Sequence, residues 1–111
     1  MIVPFFVNAQ ITAKSYHDNG ELKVIGELVN RKESGMWTWY YDTGKIETIG
    51  YFENGKQRGD WQYFYPSGTL MMSGDYSDGL KEGIWLHYSE KGILQRKEWW
   101  EKDTLEKTEV Y

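Results

Sequence analysis

The sequence has no cysteine and only two prolines among its 111 residues. Without cysteine, the chain can form neither a disulfide framework nor a thiolate metal site, although this does not fix its compartment. The 13 lysines and arginines form no block, and the formal net charge is −4. The basic stripe that attracts nucleic-acid phosphates is therefore missing, and we expect no nucleic-acid partner. No apolar run approaches the roughly 20 residues that a transmembrane helix needs.

Glycine and aromatic residues are abundant instead, with 12 glycines, and Phe, Trp and Tyr making up 17% of the chain. Many of them recur with a period of 24 residues that holds without an insertion. The recurring positions are Gly20, Gly44, Gly68 and Gly92; Tyr16, Tyr40, Phe64 and Tyr88; Leu22, Ile46, Leu70 and Leu94; and Trp37, Trp61 and Trp85, which follow Gly35, Gly59 and Gly83 by two residues. A short fixed period indicates one small supersecondary unit copied along an axis.

Alternating apolar residues and turn residues predict strands throughout the repeats. We expect strands at about 11–17, 21–29, 36–41, 45–52, 60–65, 69–76, 84–89 and 93–100, and a last one at 107–111. Short links such as 42–44 suit a type I turn followed by a left-handed glycine. Links such as 53–59 are expected to be longer. Because no space is left for helices, we predict an all-β fold, an antiparallel meander of tandem 24-residue β-hairpins that forms an elongated ribbon.

Three glycines, Gly26, Gly50 and Gly74, fall inside predicted strands, where glycine is otherwise unfavourable. We expect each to make room for an aromatic ring lying over the bare backbone. A four-residue link would place Trp37 opposite Gly50, whereas a three-residue link would pair Tyr40 with Ile46 and Trp37 with Ile49. The sequence does not choose between these registers.

The units resemble MORN repeats, specifically the short bacterial variant of the YwqK-type antitoxin family. The matching stretches are 35–46, 59–70 and 83–94, and the resemblance covers about 16–100, which makes four units. Arg31 departs from it in the first unit, where later units have glycine. After Trp100, Asp103, Lys107 and Glu109 replace motif residues, as expected of a degenerate C-terminal cap. The resemblance implies an interaction module, with toxin neutralisation as its specific form.

The first residues match no repeat position, and Val7-Asn8-Ala9 is similar to a signal-peptidase site. We therefore expect residues 1–9 to be a signal-peptide remnant and residues 10–111 to form a single repeat domain. The chain would then be exported, to the periplasm or the cell envelope. The alternative is an ordinary apolar strand in a cytoplasmic protein.

Residues suited to catalysis are sparse. His17 and His87 lie 70 residues apart in different units. Asp75, Asp78 and Glu82 lack the spacing of an EF-hand calcium loop. We expect no enzymatic activity, no cofactor and no metal site.

The candidate binding residues are those that vary between units, because the repeat fold does not dictate them. They form two rows, Trp39/Tyr63/His87 and Tyr41/Tyr65/Ser89. Alternatively, Trp39 and Tyr63 belong to the core. An acidic surface carrying tyrosine and tryptophan suits a basic protein partner, such as a toxin encoded nearby. The second hypothesis is an envelope-associated structural or membrane-peripheral protein, although the absence of basic clusters gives binding to anionic lipids no support.

Overall fold

The computed structural model describes residues 9–111 and confirms the all-β prediction. Nine consecutive strands form one open antiparallel sheet in which each strand pairs with the next along the chain. They are β1 (Gln10–Tyr16), β2 (Leu22–Val29), β3 (Lys32–Tyr40), β4 (Ile46–Glu53), β5 (Lys56–Phe64), β6 (Leu70–Ser77), β7 (Leu80–Tyr88), β8 (Leu94–Glu101) and β9 (Thr104–Val110). None of the described residues forms a helix of the length and apolarity that crossing a membrane requires. The predicted signal-peptide remnant lies outside the described residues except for Ala9, whose carbonyl accepts a hydrogen bond from Asn30 N.

The short links have the predicted geometry. In the link between β3 and β4, Tyr41 N donates to Lys45 O at 2.8 Å and Gly44 N donates to Tyr41 O at 3.0 Å. Gly44 has a φ of 90°, in the left-handed region that glycine adopts without steric cost. The links at 17–21, 65–69 and 89–93 repeat these two hydrogen bonds. Each is therefore a type I turn closed by a left-handed glycine.

The prediction of longer links was wrong. Glu53 pairs directly with Lys56, so only Asn54 and Gly55 connect β4 to β5, with φ values of 51° and 79°. Two residues with positive φ form the type I′ turn, whose twist matches that of the strands. The equivalent turns end at Arg31 and Asp103, which both have a φ of 67°. Non-glycine residues are strained there by roughly 1 kcal/mol, because Cβ approaches the following carbonyl.

The register combines the two predicted alternatives. Trp37 pairs with Gly50, as expected for a four-residue link, and Tyr40 pairs with Ile46, as expected for a three-residue link. Both hold because a β-bulge between Trp39 and Tyr40 shifts the pairing by one residue. The same bulge recurs between β5 and β6 and between β7 and β8.

A second irregularity positions the tryptophans. Between β2 and β3, Ile25 pairs with Thr38 but Glu27 pairs with Ser34, so three residues of β3 lie opposite Gly26. Gly35 lies in this bulge with a φ of 69°. The glycine that precedes each tryptophan by two residues therefore supplies the left-handed conformation that the bulge requires.

The core is a row of tryptophans lying over glycines, as predicted, but each ring covers the glycine of the preceding strand. A Cβ atom at Gly26, Gly50 or Gly74 would lie 2.0–2.2 Å from the nearest atom of the covering indole, which belongs to Trp37, Trp61 and Trp85 respectively. Those tryptophans are 7%, 3% and 0% exposed. Their indole N–H groups donate to the carbonyls of Glu27, Tyr51 and Asp75 at 3.1–3.2 Å. Each indole ring therefore packs against the glycine backbone and donates a hydrogen bond to a nearby backbone carbonyl.

The pattern ends at the last strands. Glu98 occupies the position held by Gly74 one unit earlier, and Glu109 occupies that of Trp85. The two changes belong together, because without a fourth tryptophan in this series no ring needs a glycine beneath it. At the other end, Ala13 stands where Trp37 stands in the next unit, and within residues 9–111 no strand precedes β1 for a ring there to cover.

Candidate partner-binding face

The sheet is a single layer within residues 9–111, so both of its faces are open. One face, called the aromatic face below, carries a continuous series of rings. Its members are Trp37, Trp39, Phe52, Trp61, Tyr63, Tyr76 and Trp85, with neighbouring centroids 5.0–6.3 Å apart. Phe52 and Tyr76 meet the tryptophans Trp37, Trp61 and Trp85 edge to face, the arrangement favoured by the ring quadrupole. Much of the molecule's apolar packing therefore occurs within one layer.

The first predicted row lies on the aromatic face. The Trp39 ring contacts Trp37 and Trp61, with centroids 6.2 and 5.6 Å away. Tyr63 lies between Trp61 and Trp85, 6.3 Å from each. Both residues are half-buried, so each contributes to the packing and also presents surface. Burial, followed by the hydrogen bond with Tyr76, raises the pKa of Tyr63 and keeps its hydroxyl neutral. The role of this row in partner binding stays a prediction.

The second predicted row connects successive units. The Tyr41 hydroxyl donates to Phe64 O at 2.5 Å, and the Tyr65 hydroxyl donates to Tyr88 O at 2.6 Å. His17 occupies the same position in the first unit, where its Nε2 lies 2.7 Å from Tyr40 O. A partner-binding role for these residues stays a prediction, whereas their hydrogen bonds already give them a role inside the sheet.

Ser89 is too short to continue these connections. Its Oγ instead accepts a hydrogen bond from Ile93 N within its own turn, at 3.2 Å. Reasoning from the sequence missed the connections between units. The available indication was that a residue able to donate a hydrogen bond, His17, Tyr41 or Tyr65, begins each of the first three short turns.

His87, the last residue of the first row, belongs to a polar cluster at the C-terminal end of the aromatic face. Its Nε2 donates to Glu98 Oε1 at 2.7 Å, and Trp100 Nε1 donates to the same oxygen at 3.2 Å. Arg96 Nε lies 3.2 Å from Glu98 Oε2. Burial raises the pKa of Glu98, but the hydrogen bonds from His87 and Trp100 and the charge of Arg96 together lower it by more than burial raises it. The pKa of Glu98 is therefore below its usual value. Glu98 therefore stays ionised and anchors the cluster.

A shallow cavity of about 290 Å³ opens on the aromatic face. It is called the aromatic pocket below. Its lining consists of Trp39, Glu47, Thr48, Gln57, Trp61 and Tyr63. Glu47 is exposed and forms no ion pair with any residue of 9–111. The pocket therefore combines aromatic residues with an acidic one. Glu47 also acts on Tyr41, whose pKa is raised by burial and then by the Glu47 charge.

A larger depression of about 610 Å³ lies beside the type I′ turns. Its charged groups pair with each other: Lys56 Nζ lies 3.4 Å from Asp78, and Arg58 lies 3.4 Å from Glu53. These side chains are largely exposed, so the pairs contribute little to stability. Lys32 also lines this depression and forms no ion pair with any residue of 9–111, so one positive charge there is left unmatched.

The acidic residues considered for calcium do not converge. Asp75 pairs across strands with Glu82 and with Asp60, on the face opposite the aromatic face, while Asp78 contacts Lys56. Within the part of the chain that the structure describes, no group of three or more His, Asp or Glu residues could hold a metal ion. Partial burial, and then the facing Asp75 carboxylate, raise the pKa of Asp60.

Comparison with known proteins identifies the repeat. Residues 10–30, 33–54 and 57–78, together more than half of the chain, match the profile of the MORN repeat variant family. Each matched stretch spans one hairpin, namely β1–β2, β3–β4 and β5–β6. The profile finds three repeats where four were predicted; the fourth hairpin, β7–β8, has the same bulge and the same tryptophan, with Trp85 over Gly74. No curated protein and no solved structure matches the chain.

Proposed function

This chain belongs to the MORN repeat variant family, and on that premise we propose that it is a non-enzymatic module that binds a protein partner through its aromatic face. MORN repeats are in general modules for interaction with proteins or membranes. The observation that carries the proposal is the position of Trp39 and Tyr63, whose rings join the packed series yet remain half-exposed. Contiguous exposed aromatic surface of this kind usually marks an interaction site.

The chemistry of the face suits a basic partner. Tryptophan and tyrosine serve as rigid anchors in protein interfaces, where they are enriched among the energetically dominant residues. The net charge of −4 attracts a basic protein at long range and speeds its association. The specific version of the proposal is an antitoxin or immunity protein that neutralises a toxin encoded nearby.

Co-purification with the products of neighbouring genes tests this proposal. Each product would be expressed alone and together with this chain, with host growth and complex formation as readouts. We expect one product to bind, and, for the antitoxin version, to inhibit growth only when this chain is absent. If none of the products binds, the proposed partner is wrong. If one binds without being toxic, the interaction module stands and the antitoxin version is wrong.

A membrane-peripheral role in the cell envelope is the alternative, favoured by the general association of MORN repeats with membranes. Its test is flotation with vesicles of neutral and of anionic lipid. Flotation with both, and no binding to any neighbouring gene product, would support the alternative. The lysines and arginines form no cluster, so charge provides no preference for anionic lipid.

We also propose that the chain acts outside the cytoplasm, because Val7-Asn8-Ala9 is similar to a signal-peptidase site directly before β1. N-terminal sequencing of the protein from its own host tests this. We expect a mature start at Gln10, and an intact Met1 in a cytosolic fraction would contradict it.

A further inference from the structure

We propose that the aromatic pocket receives a lysine or arginine side chain of the partner protein. This inference rests on the proposed function and specifies one contact of that interface. It is lined by Trp39, Trp61 and Tyr63 together with Glu47, which forms no ion pair with any residue of 9–111. This pocket differs in an informative way from the equivalent place one repeat further along the chain.

One unit later, the chain itself places a cation beside the equivalent place, between Trp85, which belongs to it, and Trp100, whose counterpart Tyr76 does not line the aromatic pocket. Adding 24 to each lining residue gives Tyr63, Met71, Met72, Lys81, Trp85 and His87. There, Lys81 Nζ lies 4.8 Å from the centroid of Trp85 and 4.3 Å from that of Trp100. Both distances are within the range of cation–π attraction. The fold therefore already holds one ammonium group against this aromatic surface.

Two of the residues that line the aromatic pocket are shorter than their counterparts one unit later. Gln57 stands where Lys81 stands in the next unit, and Thr48 stands where Met72 does. The Gln57 amide carries no positive charge and has a shorter stem than lysine, so the rings of this unit have no cation of their own. A lysine or arginine of the partner would place a positive charge beside these rings, as Lys81 does in the next unit.

The lining favours a cation that carries N–H donors. Glu47, Gln57 and Thr48 present a carboxylate, an amide oxygen and a hydroxyl, all of which accept hydrogen bonds. A lysine ammonium has three N–H donors and an arginine guanidinium has five, whereas the trimethylammonium of a choline headgroup has none. The polar part of the pocket therefore points to a protein side chain rather than to a phosphatidylcholine surface.

The direct test is a titration of the purified chain followed by NMR of the Trp39 and Trp61 indole N–H groups. The probes are N-acetyl-lysine amide and N-acetyl-arginine amide, with N-acetyl-norleucine amide as a neutral control of similar shape. A single cation–π contact is worth about 0.5–2 kcal/mol, which by itself gives a dissociation constant of roughly 30–400 mM, so we expect weak binding that needs a titration to high probe concentration. The indole resonances should shift saturably with the two cations and should not shift with norleucine amide.

Variants identify the pocket as the site. Gln57→Lys copies Lys81 and should abolish binding of both cations while leaving the thermal midpoint unchanged or higher. Gln62→Lys is the matched control, because Gln62 lies on the same strand with its side chain on the opposite face, paired with Ile49. It should bind the cations as the wild type does. Glu47→Gln should weaken binding by about threefold, as for a partly exposed charge pair.

The inference is overturned if neither cation gives a saturable shift, if norleucine amide binds equally well, or if Gln57→Lys still binds. It is also overturned if choline displaces the lysine probe at equal concentration and the chain sediments with phosphatidylcholine vesicles. Should Gln57→Lys fail to fold, Thr48→Met, which copies Met72, closes the same pocket and must abolish binding. If neither cationic probe binds but a neighbouring gene product does, the proposal of a protein-interaction module remains supported and only the lysine or arginine contact is wrong.

Discussion

Substitution of Gly50 by alanine tests whether the tryptophan rings require glycine beneath them. The new Cβ would lie 2.2 Å from two atoms of the Trp61 indole, so the ring would have to retreat by about 1.5 Å to reach an ordinary carbon–carbon contact. Trp61 is 3% exposed and is held by Phe52, Trp39 and Tyr76, with centroids 5.2–5.6 Å away. The ring can therefore retreat only by displacing these neighbours or by shifting into the shallow aromatic pocket that it helps to line.

The expected cost follows from these contacts. Overpacking a closed site typically costs about 1–3 kcal/mol. Displacing the indole also breaks its 3.1 Å hydrogen bond to Tyr51 O, which adds about 1 kcal/mol. Gly50 does not have a positive φ, so alanine fits its backbone and restricts the unfolded chain, offsetting about 0.5–1 kcal/mol. We expect a net loss of about 2–3 kcal/mol in the free energy of unfolding.

Urea unfolding followed by far-ultraviolet circular dichroism measures this loss. Gly59→Ala is the matched control: a Cβ there meets no atom within 4 Å, but its φ of 64° makes alanine strained by roughly 1 kcal/mol. Near-ultraviolet dichroism should change for Gly50→Ala and stay as in the wild type for Gly59→Ala. A Gly50→Ala variant as stable as the wild type would refute the packing account.

Three further predictions concern hydrogen bonds and charge. Tyr65→Phe removes the 2.6 Å bond to Tyr88 O and should lower the free energy of unfolding by about 1 kcal/mol, whereas Tyr51→Phe, on the exposed Tyr51, should leave it unchanged in the same urea experiment. Glu98 has a lowered pKa, so its ionised form stabilises the fold above the usual pKa of 4.5, and this stabilisation is lost as the pH falls towards the folded-state pKa. In thermal melts between pH 6 and about pH 3, the melting temperature of Glu98→Gln should therefore fall less than that of the wild type. Asp60 has a raised pKa, so its ionisation destabilises the fold as the pH rises above the usual aspartate pKa of 3.8. Asp60→Asn should therefore raise the thermal midpoint at pH 7 and have no effect well below pH 3.8. An equal effect at both pH values would contradict the repulsion from Asp75.

The sequence predicted the elements that recur with a strict period. Glycines such as Gly44 indicated the short turns because only a left-handed residue closes that link. Gly50 likewise indicated an aromatic ring above it, because glycine inside a strand is unfavourable unless a neighbouring group has to approach the backbone closely. These features are local or nearly local, so a repeated residue type is enough to indicate them.

The sequence did not predict the features that depend on bulges and on neighbouring units. The bulge between Trp39 and Tyr40 allows two registers to coexist, and no residue type marks it. The hydrogen bond from Tyr41 to Phe64 O joins groups 23 residues apart and needs the sheet to be assembled. The aromatic pocket likewise arises from small differences in side-chain length between units, which become visible only once Gln57 and Lys81 are placed on the same kind of site.

The most direct test of the account is the affinity of a neighbouring gene product for two variants of this chain. Gln57→Lys and Gln62→Lys add the same charge to the same strand, on the aromatic face and on the opposite face respectively. Isothermal titration should show that Gln57→Lys weakens binding at least about tenfold, a loss of about 1.4 kcal/mol, and that Gln62→Lys binds like the wild type. Loss of affinity in Gln62→Lys with full affinity in Gln57→Lys would place the partner on the opposite face and contradict the account.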